Sequence, residues 1–264
     1  MEIISVINQK GGVGKTTTVI NLAAGLSQLK KRILVIDLDP QGNATTGLGL
    51  SNLDNSSDTI YGVLNGSKEI TQVIKKTKFD DLDIITSNVD LSGLEVETAD
   101  DSNRAFILKA KLTSYLNNSG GSYDYVLIDC PPSLSLLTVM ALVSSSSLLV
   151  PLQTEFFALE GLTQLMKTID RIKVNLNPDL KIRGILLTMY DKRNKLSSEV
   201  EKEARDYFNE KVYSTVIPRN VRLSEAPSHG MPVLIYDKSC PGSKSYFNFT
   251  DEFINQELTK ESAA

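Results

Sequence analysis

Tryptophan is absent from this chain, histidine occurs once and cysteine twice. The two cysteines, Cys130 and Cys240, are too few and too far apart for a disulfide framework or for the spacing of metal ligands. His229 has no nearby residue in the sequence that would complete a zinc site. We therefore do not expect a redox function or a zinc-dependent one.

Long apolar runs are also missing. None reaches the roughly 18 residues that a membrane-spanning helix needs, and no basic segment followed by a signal core opens the chain. The amphipathic pattern at about 246–258 lies in an acidic stretch, since residues 251–264 hold four carboxylates and a single lysine, so we expect this helix to pack on the domain and not on anionic lipid. We expect a cytoplasmic protein without membrane attachment.

An overall excess of positive charge is missing as well, since the net charge is −4. The balance is uneven, because residues 182–244 hold 11 Lys and Arg against 8 Asp and Glu, whereas the rest of the chain holds 17 against 24. Any contact with nucleic acid should therefore lie in the C-terminal third. The excess is small, and charge alone would not suggest DNA.

Short apolar runs alternate with helical patterns along most of the chain. The strand candidates are 3–8, 33–38, 82–86, 123–129, 147–152, 182–190 and 212–217. The helical patterns include 19–29, 105–117, 158–175 and 199–208. Strand–helix–strand succession predicts right-handed crossovers, and hence an α/β fold with a doubly wound, mainly parallel sheet and helices on both faces.

The length of 264 residues suits one large α/β domain or two small ones. We interpret residues 1–264 as a single domain. The stretch at about 54–101 is polar around one strand, and we expect it to be a surface excursion of that domain. A C-terminal helix is expected at about 246–258.

The stretch between the first strand candidate and the first helical pattern has the composition of a phosphate-binding loop. Its glycines let successive backbone N–H groups turn toward one anion, the helix start adds its positive dipole end, and a lysine can reach the outer phosphates. A hydroxyl directly after that lysine can bind Mg²⁺. The residues concerned are Lys10, Gly11, Gly12, Val13, Gly14, Lys15, Thr16 and Thr17.

The general pattern of such loops has a glycine where this chain has Gln9, and a second lysine, Lys10, follows it. One subunit already holds a cation in Lys15, so the needs of a single site do not explain Lys10. If a second copy faced the first, Lys10 could neutralise charge on the partner's nucleotide.

Two further strand ends carry groups suited to the same chemistry. Residues 37–43 follow the second strand, and residues 129–133 follow the strand that starts at Tyr123. In open α/β sheets the ligand lies at the carboxyl ends of the strands, so we expect these groups to converge on the glycine-rich loop. Asp129 can support Mg²⁺, usually through water.

These three motifs together resemble the deviant Walker A ATPases of the MinD/ParA family, and within them the ParA/Soj chromosome-partitioning group. The resemblance covers residues 3 to about 246 and is weakest between 54 and 101. It implies a P-loop fold that binds ATP or ADP with Mg²⁺. It further implies that Asp39 orients the attacking water, that Asp37 supports the Mg²⁺ shell, and that Met189, Pro218 and Asn220 lie beside the adenine.

The resemblance also implies a catalytic set of Lys10, Lys15 and Asp39, and metal support from Thr16, Asp37 and Asp129. In such proteins an ATP-bound sandwich homodimer binds double-stranded DNA without sequence preference. The basic residues in the matching loops form two clusters: Lys192, Arg193 and Lys195, and Arg219 and Arg222. A dimer doubles a weak patch, so DNA binding should depend on ATP and on salt.

We therefore expect a nucleoid-associated partitioning ATPase whose hydrolysis is stimulated by a ParB-type centromere-binding protein. One alternative is a MinD-like or polarity-type positioning ATPase whose cargo is not DNA. Another is a metabolic P-loop enzyme, which would need a substrate-side acid or base, and none stands out in the sequence.

Overall fold

The computed structural model describes residues 1–50, 57–119 and 123–261, and it describes the side chains of these residues except at 119 and 257–261. The strands in chain order are β1 Glu2–Val6, β2 Ile33–Asp37, β3 Ile74–Lys76, β4 Leu82–Ile85, β5 Tyr125–Asp129, β6 Ser147–Gln153, β7 Lys181–Tyr190 and β8 Val212–Pro218. The first helices are α1 Lys15–Gln28, α2 Asn43–Gly47, α3 Ile60–Leu64, α4 Ile70–Val73, α5 Leu94–Glu97 and α6 Ile107–Ser119. The remaining helices are α7 Leu136–Ser144, α8 Ala158–Asn175, α9 Lys195–Phe208, α10 Val221–Glu225, α11 Val233–Tyr236 and α12 Pro241–Glu261.

The strands form one sheet in the order β3-β4-β2-β5-β1-β6-β7-β8. Every described pairing is parallel except that of β3 with β4. Parallel neighbours have to be joined by crossover connections over a face of the sheet. The predicted doubly wound, mainly parallel α/β fold is confirmed. Each of the seven predicted strands has a counterpart. The edge strand β3 was not predicted, because three residues with two lysines carry no apolar run.

Side chains alternate between the two faces of the sheet, as β2 shows. Ile33 and Val35 join a cluster that includes α1 and α12, whereas Leu34 and Ile36 join one that includes α3 to α7. All four side chains are fully buried. Strands covered on both faces read as continuous apolar runs, which is why they could be found in the sequence.

The segment 57–101 does more than extend over the surface. Ile60, Val63 and Ile85 are fully buried within the cluster on the α3 to α7 face, and β4 pairs directly with β2. The described part of this stretch is therefore not only a surface excursion, as expected, because its few apolar residues pack against the sheet. Residues 51–56 lie outside the described residues.

The C-terminal helix pattern falls inside α12, which packs on the sheet. Phe249 and Phe253 are fully buried, and Tyr213 of β8 stacks edge-on against Phe249 with ring centroids 4.8 Å apart. Gly25 lets α1 approach α12, since a Cβ built there would lie 2.3 Å from the Thr250 hydroxyl. Within the described residues no helix combines the length and apolarity that crossing a bilayer requires.

Candidate nucleotide-binding site

The glycine-rich loop joins β1 to α1 at the carboxyl edge of the sheet. Gly12 and Gly14 adopt left-handed φ angles of 74° and 89°, which residues with a Cβ rarely adopt. Gly14 directly precedes α1, and no side chain caps the first turn of that helix. The free N–H groups of this turn and the helix dipole together favour an anion at this position.

Lys15 begins α1 and is only 6% exposed. Its ammonium donates to the carbonyl of Lys10 at 3.2 Å, so the side chain folds back over the loop. Burial lowers the pKa of Lys15, while the nearby carboxylates of Asp129 and Asp39 act in the opposite direction. The loop thus holds a desolvated amine beside two acids, in the place where phosphates would enter.

A cavity of about 630 Å³ opens above this loop. Predicted residues that line it are Gly11, Gly12, Gly14, Lys15, Thr16, Thr17, Asp39, Met189, Pro218, Asn220 and Arg219. Gln41, Asn43 and Pro132, from the two strand ends expected to converge on the loop, also line it. Residues for which no role was predicted include Thr46, Leu223, Ser228 and Tyr246. Two predicted binding residues are not part of the wall: the Lys10 side chain is directed elsewhere, and Val13 is buried beneath the loop.

Asp129 is the last residue of β5, and its surroundings show whether the site fits Mg²⁺. The residue is fully buried, and neither carboxylate oxygen has a hydrogen-bond partner. Thr16 lies near enough to favour the charged form, but burial and the neighbouring Asp37 raise the pKa of Asp129 well above its ordinary value. A buried carboxylate without partners is costly unless a cation joins it, so the residues present fit the metal.

Asp37 ends β2 and lies opposite Asp129 in the parallel register of β2 and β5. One of its carboxylate oxygens accepts hydrogen bonds from both the backbone N–H and the hydroxyl of Thr45, each at 2.7 Å. The other accepts the N–H of Asp39 at 3.2 Å. Asp37 therefore ties α2 to the sheet, a structural contact that the sequence did not predict, and its predicted support of Mg²⁺ stays a prediction.

Asp39 lies on the turn that leads from β2 to α2 and faces the cavity. One carboxylate oxygen accepts the N–H of Gln41 at 3.0 Å, and the carbonyl of Asp39 accepts the N–H of Gly42 at 2.9 Å. The turn leaves the other carboxylate oxygen free of any hydrogen bond in the described structure. An acceptor fixed in this way can orient a water molecule beside the phosphate loop.

The predicted adenine side is formed by the ends of β7 and β8. Asn220 caps α10, since its side-chain oxygen accepts the N–H of Arg222 at 3.0 Å. The side-chain oxygen is therefore engaged in the cap, whereas the amide N–H₂ remains available as a donor, and the predicted contact with the base stays a prediction. Met189 lines the same wall in a left-handed conformation with φ of 51°, which is uncommon for a residue with a side chain.

Tyr246 of α12 closes the cavity from the opposite face of α1. Its hydroxyl lies 3.1 Å from that of Thr18, which belongs to the first turn of α1, and the ring is 1% exposed. Burial raises the pKa of this phenol. The phosphate-binding end of α1 is therefore joined by a hydrogen bond to the C-terminal helix.

Lys10 lies at the rim of the site and pairs with Glu155, its ammonium 2.6 Å from the carboxylate. Both side chains remain about half exposed, 49% and 45%. Glu155 also accepts a hydrogen bond from the Gln153 side chain. Directly after it, Phe156 and Phe157 are 72% and 68% exposed and contact each other edge-on. A charged pair and an apolar patch thus lie side by side on the surface.

The two basic clusters lie together at the ends of β7 and β8, where the N–H of Arg219 donates to the carbonyl of Tyr190 at 3.1 Å. All five side chains are exposed. Arg193 forms a double hydrogen bond to Asp191, and Arg222 pairs with Glu225 at 2.7 Å. The positive charge of this surface is therefore partly matched by acids of the same loops.

Comparison with known proteins places the chain in a family. The family described as "AAA domain" matches residues 1–182. The chromosome partitioning protein ParA of Caulobacter vibrioides is 50% identical over 264 residues, which cover 100% of this chain and 98% of the relative. The sporulation initiation inhibitor protein Soj of Bacillus subtilis is 47% identical over 251 residues, 95% of this chain and 97% of the relative.

The chain belongs to the ParA/Soj family. The resemblance inferred from its motifs is thus confirmed. Among solved structures, that of cobyrinic acid a,c-diamide synthase from Mycobacterium smegmatis with bound ADP and magnesium is 34% identical, has a TM-score of 0.80, and covers 95% of this chain and 93% of its own. The Pyrococcus furiosus cell division ATPase MinD is 25% identical with a TM-score of 0.78, covering 97% and 99%.

The predicted cofactors, ATP or ADP with Mg²⁺, match those that the solved relatives hold. Besides the ADP and magnesium of the Mycobacterium smegmatis protein, a putative plasmid partition protein of Borrelia burgdorferi was solved with AMPPNP, with 26% identity and a TM-score of 0.80. For a ParA/Soj chain, the glycine loop, the buried Lys15 and the unpartnered Asp129 carboxylate are the features that suit those ligands.

Sequence reasoning missed Thr188 and Glu155 as contacts of the phosphate loop. Thr188 bonds to Val13 and Glu155 pairs with Lys10. Both lie more than 140 residues from their partners, so local spacing carried no signal for either contact. Their positions at the ends of β7 and β6 are the one clue, since strand ends meet at this edge.

Proposed function

We propose that this protein is an ATP-dependent DNA-partitioning ATPase. The observation that carries the proposal is a cavity lined by a phosphate loop and a buried Lys15, with the unpartnered Asp129 carboxylate buried close to that lysine, in a chain 50% identical to a chromosome partitioning protein. Partitioning of chromosome or plasmid DNA is the activity that this combination supports best.

In the proposed hydrolysis the protein positions groups and neutralises charge, because phosphoryl transfer to water needs little covalent help. The N–H groups of the loop and Lys15 bind the phosphates, and Asp39 orients the attacking water. Thr16 and Asp129 would hold Mg²⁺, which when bound supplies further positive charge at the phosphates. The closed turn at Asp39 and the buried position of Asp129 keep both acids in place.

A sandwich dimer formed with ATP is the second part of the proposal. Lys10 is half exposed at the rim and its partner Glu155 belongs to the same surface as Phe156 and Phe157. An exposed aromatic pair beside an ion pair is a surface that a second copy of the chain would cover. In that dimer Lys10 would leave Glu155 and neutralise charge on the partner's nucleotide.

Nonspecific binding to double-stranded DNA is the third part, with Lys192, Arg193 and Lys195 and the neighbouring Arg219 and Arg222 as contacts. Their common position at the ends of two adjacent strands supports one surface rather than two. Two such surfaces in a dimer bind far more tightly than one. A ParB-type partner would stimulate hydrolysis and release the DNA, in the cytoplasm at the nucleoid.

The test uses Asp39→Ala, which should bind ATP without turnover. We expect binding to random-sequence duplex DNA only with ATP, and a linear fall of log affinity with log salt. Asp170→Ala, an exposed change on α8, serves as the matched control and should behave as the unmodified protein. An ATP-trapped dimer that ignores DNA at low salt would overturn the DNA assignment and favour a positioning ATPase with another cargo.

A further inference from the structure

Thr188 links the last parallel strands to the phosphate loop. It lies near the end of β7 and is 2% exposed. Its hydroxyl donates to the carbonyl of Val13 at 2.8 Å, across 175 positions of sequence. Its methyl group lies against Gly14, since a Cβ built on that glycine would be 3.9 Å from the Thr188 Cγ2. The loop is therefore held from outside as well as by its own glycines.

The carbonyl of Val13 is a sensitive point of the loop. It lies between two glycines with left-handed φ angles, Gly12 and Gly14, so its direction decides where the following N–H groups point. Val13 is 1% exposed, and the Thr188 hydroxyl is the hydrogen-bond donor that the structure assigns to it. Without that donor the buried Val13 carbonyl would lack a hydrogen-bond partner, and this conformation of the loop would be less stable.

A second set of contacts joins Thr188 to helix α9. The backbone carbonyl of Thr188 accepts the N–H of Thr154 at 3.3 Å, and the Thr154 hydroxyl bonds to that of Ser197 at 3.2 Å. Thr154 and Ser197 are 3% and 2% exposed. Ser197 belongs to the first turn of α9, which Asn194 caps. The contacts therefore run without a gap from the phosphate loop to the start of α9.

The start of α9 carries the first basic cluster. Lys195 is the first residue of the helix, and Arg193 precedes its cap. Between Thr188 and this cluster lies Met189, whose φ of 51° marks a backbone held in an uncommon conformation by its surroundings. The next residue, Tyr190, accepts the N–H of Arg219 from the second basic cluster. Both clusters are thus attached to the segment that Thr188 anchors.

We propose that Thr188 is a positioning residue for the phosphate loop and that the hydrogen-bonded chain of Thr188, Thr154 and Ser197 couples nucleotide binding to the basic surface. Movement of the Val13 carbonyl when phosphates bind would shift Thr188, and through Thr154 and Ser197 the start of α9. The coupling half rests on the proposed function, whereas the positioning half concerns nucleotide affinity alone.

The positioning half is tested by the affinity of the full chain for a fluorescent ADP analogue with Mg²⁺. Thr188→Val keeps the shape and removes the hydroxyl, and it should weaken binding about tenfold. Thr188→Ser keeps the hydroxyl and should restore the affinity to within about threefold. Thr163→Val removes an exposed hydroxyl that bonds within α8 and is the matched control.

Equal ADP affinity in Thr188→Val and the unmodified chain would overturn the positioning role. A Thr188→Ser variant as weak as Thr188→Val would also overturn it, because packing and not the hydroxyl would then matter. If Thr188→Val fails to fold by circular dichroism, Thr188→Ala replaces it and is judged by the same comparison.

The coupling half is tested with Ser197→Ala, which leaves the phosphate loop and its contacts unchanged. We expect ADP affinity within about twofold of the unmodified chain, but a ratio of DNA affinities with ATP and ADP reduced about threefold. An unchanged ratio overturns the coupling. If the unmodified chain binds no DNA at all, the proposed function fails, while the Thr188 measurements still decide the positioning role.

Discussion

The charges at the nucleotide cavity and those of the basic clusters are arranged in opposite ways. At the cavity they are buried and poorly matched: Asp129 is fully buried with no hydrogen-bond partner on either oxygen, and Lys15 is 6% exposed. In the basic clusters they are exposed and partly matched, as in the pair of Arg193 with Asp191, where the arginine side chain is 90% exposed.

The difference indicates two kinds of binding. Burying a charge without a partner costs stability, so such a group is expected only where a ligand compensates for it. An exposed ion pair contributes little either way and is weakened by salt. The cavity is therefore built in advance for one small ligand, whereas the basic surface becomes effective only when several copies of it act together.

The largest effect is expected from Asp129→Asn. Turnover of ATP should fall at least about a hundredfold, because the variant loses the acid that fits Mg²⁺. The nucleotide-free protein should gain on the order of 1 kcal/mol in free energy of unfolding, since the variant has no buried acid whose ionisation folding opposes. Phosphate release measures the turnover and urea denaturation measures the free energy of unfolding, with Asp170→Asn as the control for both. If Asp129→Asn were less stable than the unmodified chain and fully active, the buried acid would not be a group that a ligand has to compensate.

The next effect concerns pH and the nucleotide-free protein. Burial raises the pKa of Asp37 to about 6 from the ordinary 3.8, so the folded state holds this proton more tightly than the unfolded state. The stabilisation is present below pH 4 and is lost as the pH rises through about 6. We expect the free energy of unfolding to fall by about 1 to 3 kcal/mol between pH 4 and 7.

Urea denaturation at several pH values checks this. Asp37→Asn, which can still accept from Thr45, should reduce the dependence without abolishing it, because burial also raises the pKa of Asp129. The acids with lowered pKa values, such as Asp191 beside Arg193, act below pH 4 and do not interfere in this interval. A variant whose stability depends on pH as strongly as that of the unmodified chain would assign the effect to another group.

A smaller effect is expected from Glu155→Gln, which releases Lys10 from its pair. Since an exposed ion pair is worth up to about 1 kcal/mol, ATP turnover at limiting protein concentration should rise about two- to fivefold. The double variant Lys10→Ala/Glu155→Gln should be as slow as Lys10→Ala alone. Glu160→Gln, an exposed change five residues on, is the control. If Glu155→Gln also raised ATP turnover in the Lys10→Ala background, the effect would not come from the release of Lys10.

The smallest effect is expected from Asp191→Asn, which removes the acid matched to Arg193. Binding to duplex DNA should become about two- to threefold tighter at low salt, and the gain should vanish at high salt. Asp179→Asn removes an equal charge near the opposite end of β7 and should leave the affinity unchanged. Equal gains in the two variants would show that only net charge matters.

The sequence predicted those parts of the fold that local pattern determines. Strands buried on both faces are continuous apolar runs, so β2 and β5 could be recognised, and with them the edge where Asp39 and Asp129 lie. The edge strand β3 has no such run. A phosphate loop is likewise local, because its glycines and lysine are consecutive.

The missing parts depend on contacts between distant segments. Nothing near Asp37 in the sequence shows that its oxygens are taken by Thr45, and nothing near Asn220 shows that its side-chain oxygen caps α10. Glu155 as the partner of Lys10 depends on β6 and β1 being neighbours in the sheet. Such pairings follow from strand order, which periodicity does not determine.

The bond between Tyr246 and Thr18 has a practical consequence. Because the chain contains no tryptophan, its intrinsic fluorescence comes from tyrosine alone. One of those tyrosines lines the cavity and touches the helix that begins at the phosphate loop. Emission from the unlabelled protein should therefore report nucleotide arrival and departure in real time, and Tyr246→Phe should remove that signal while keeping the packing of α12.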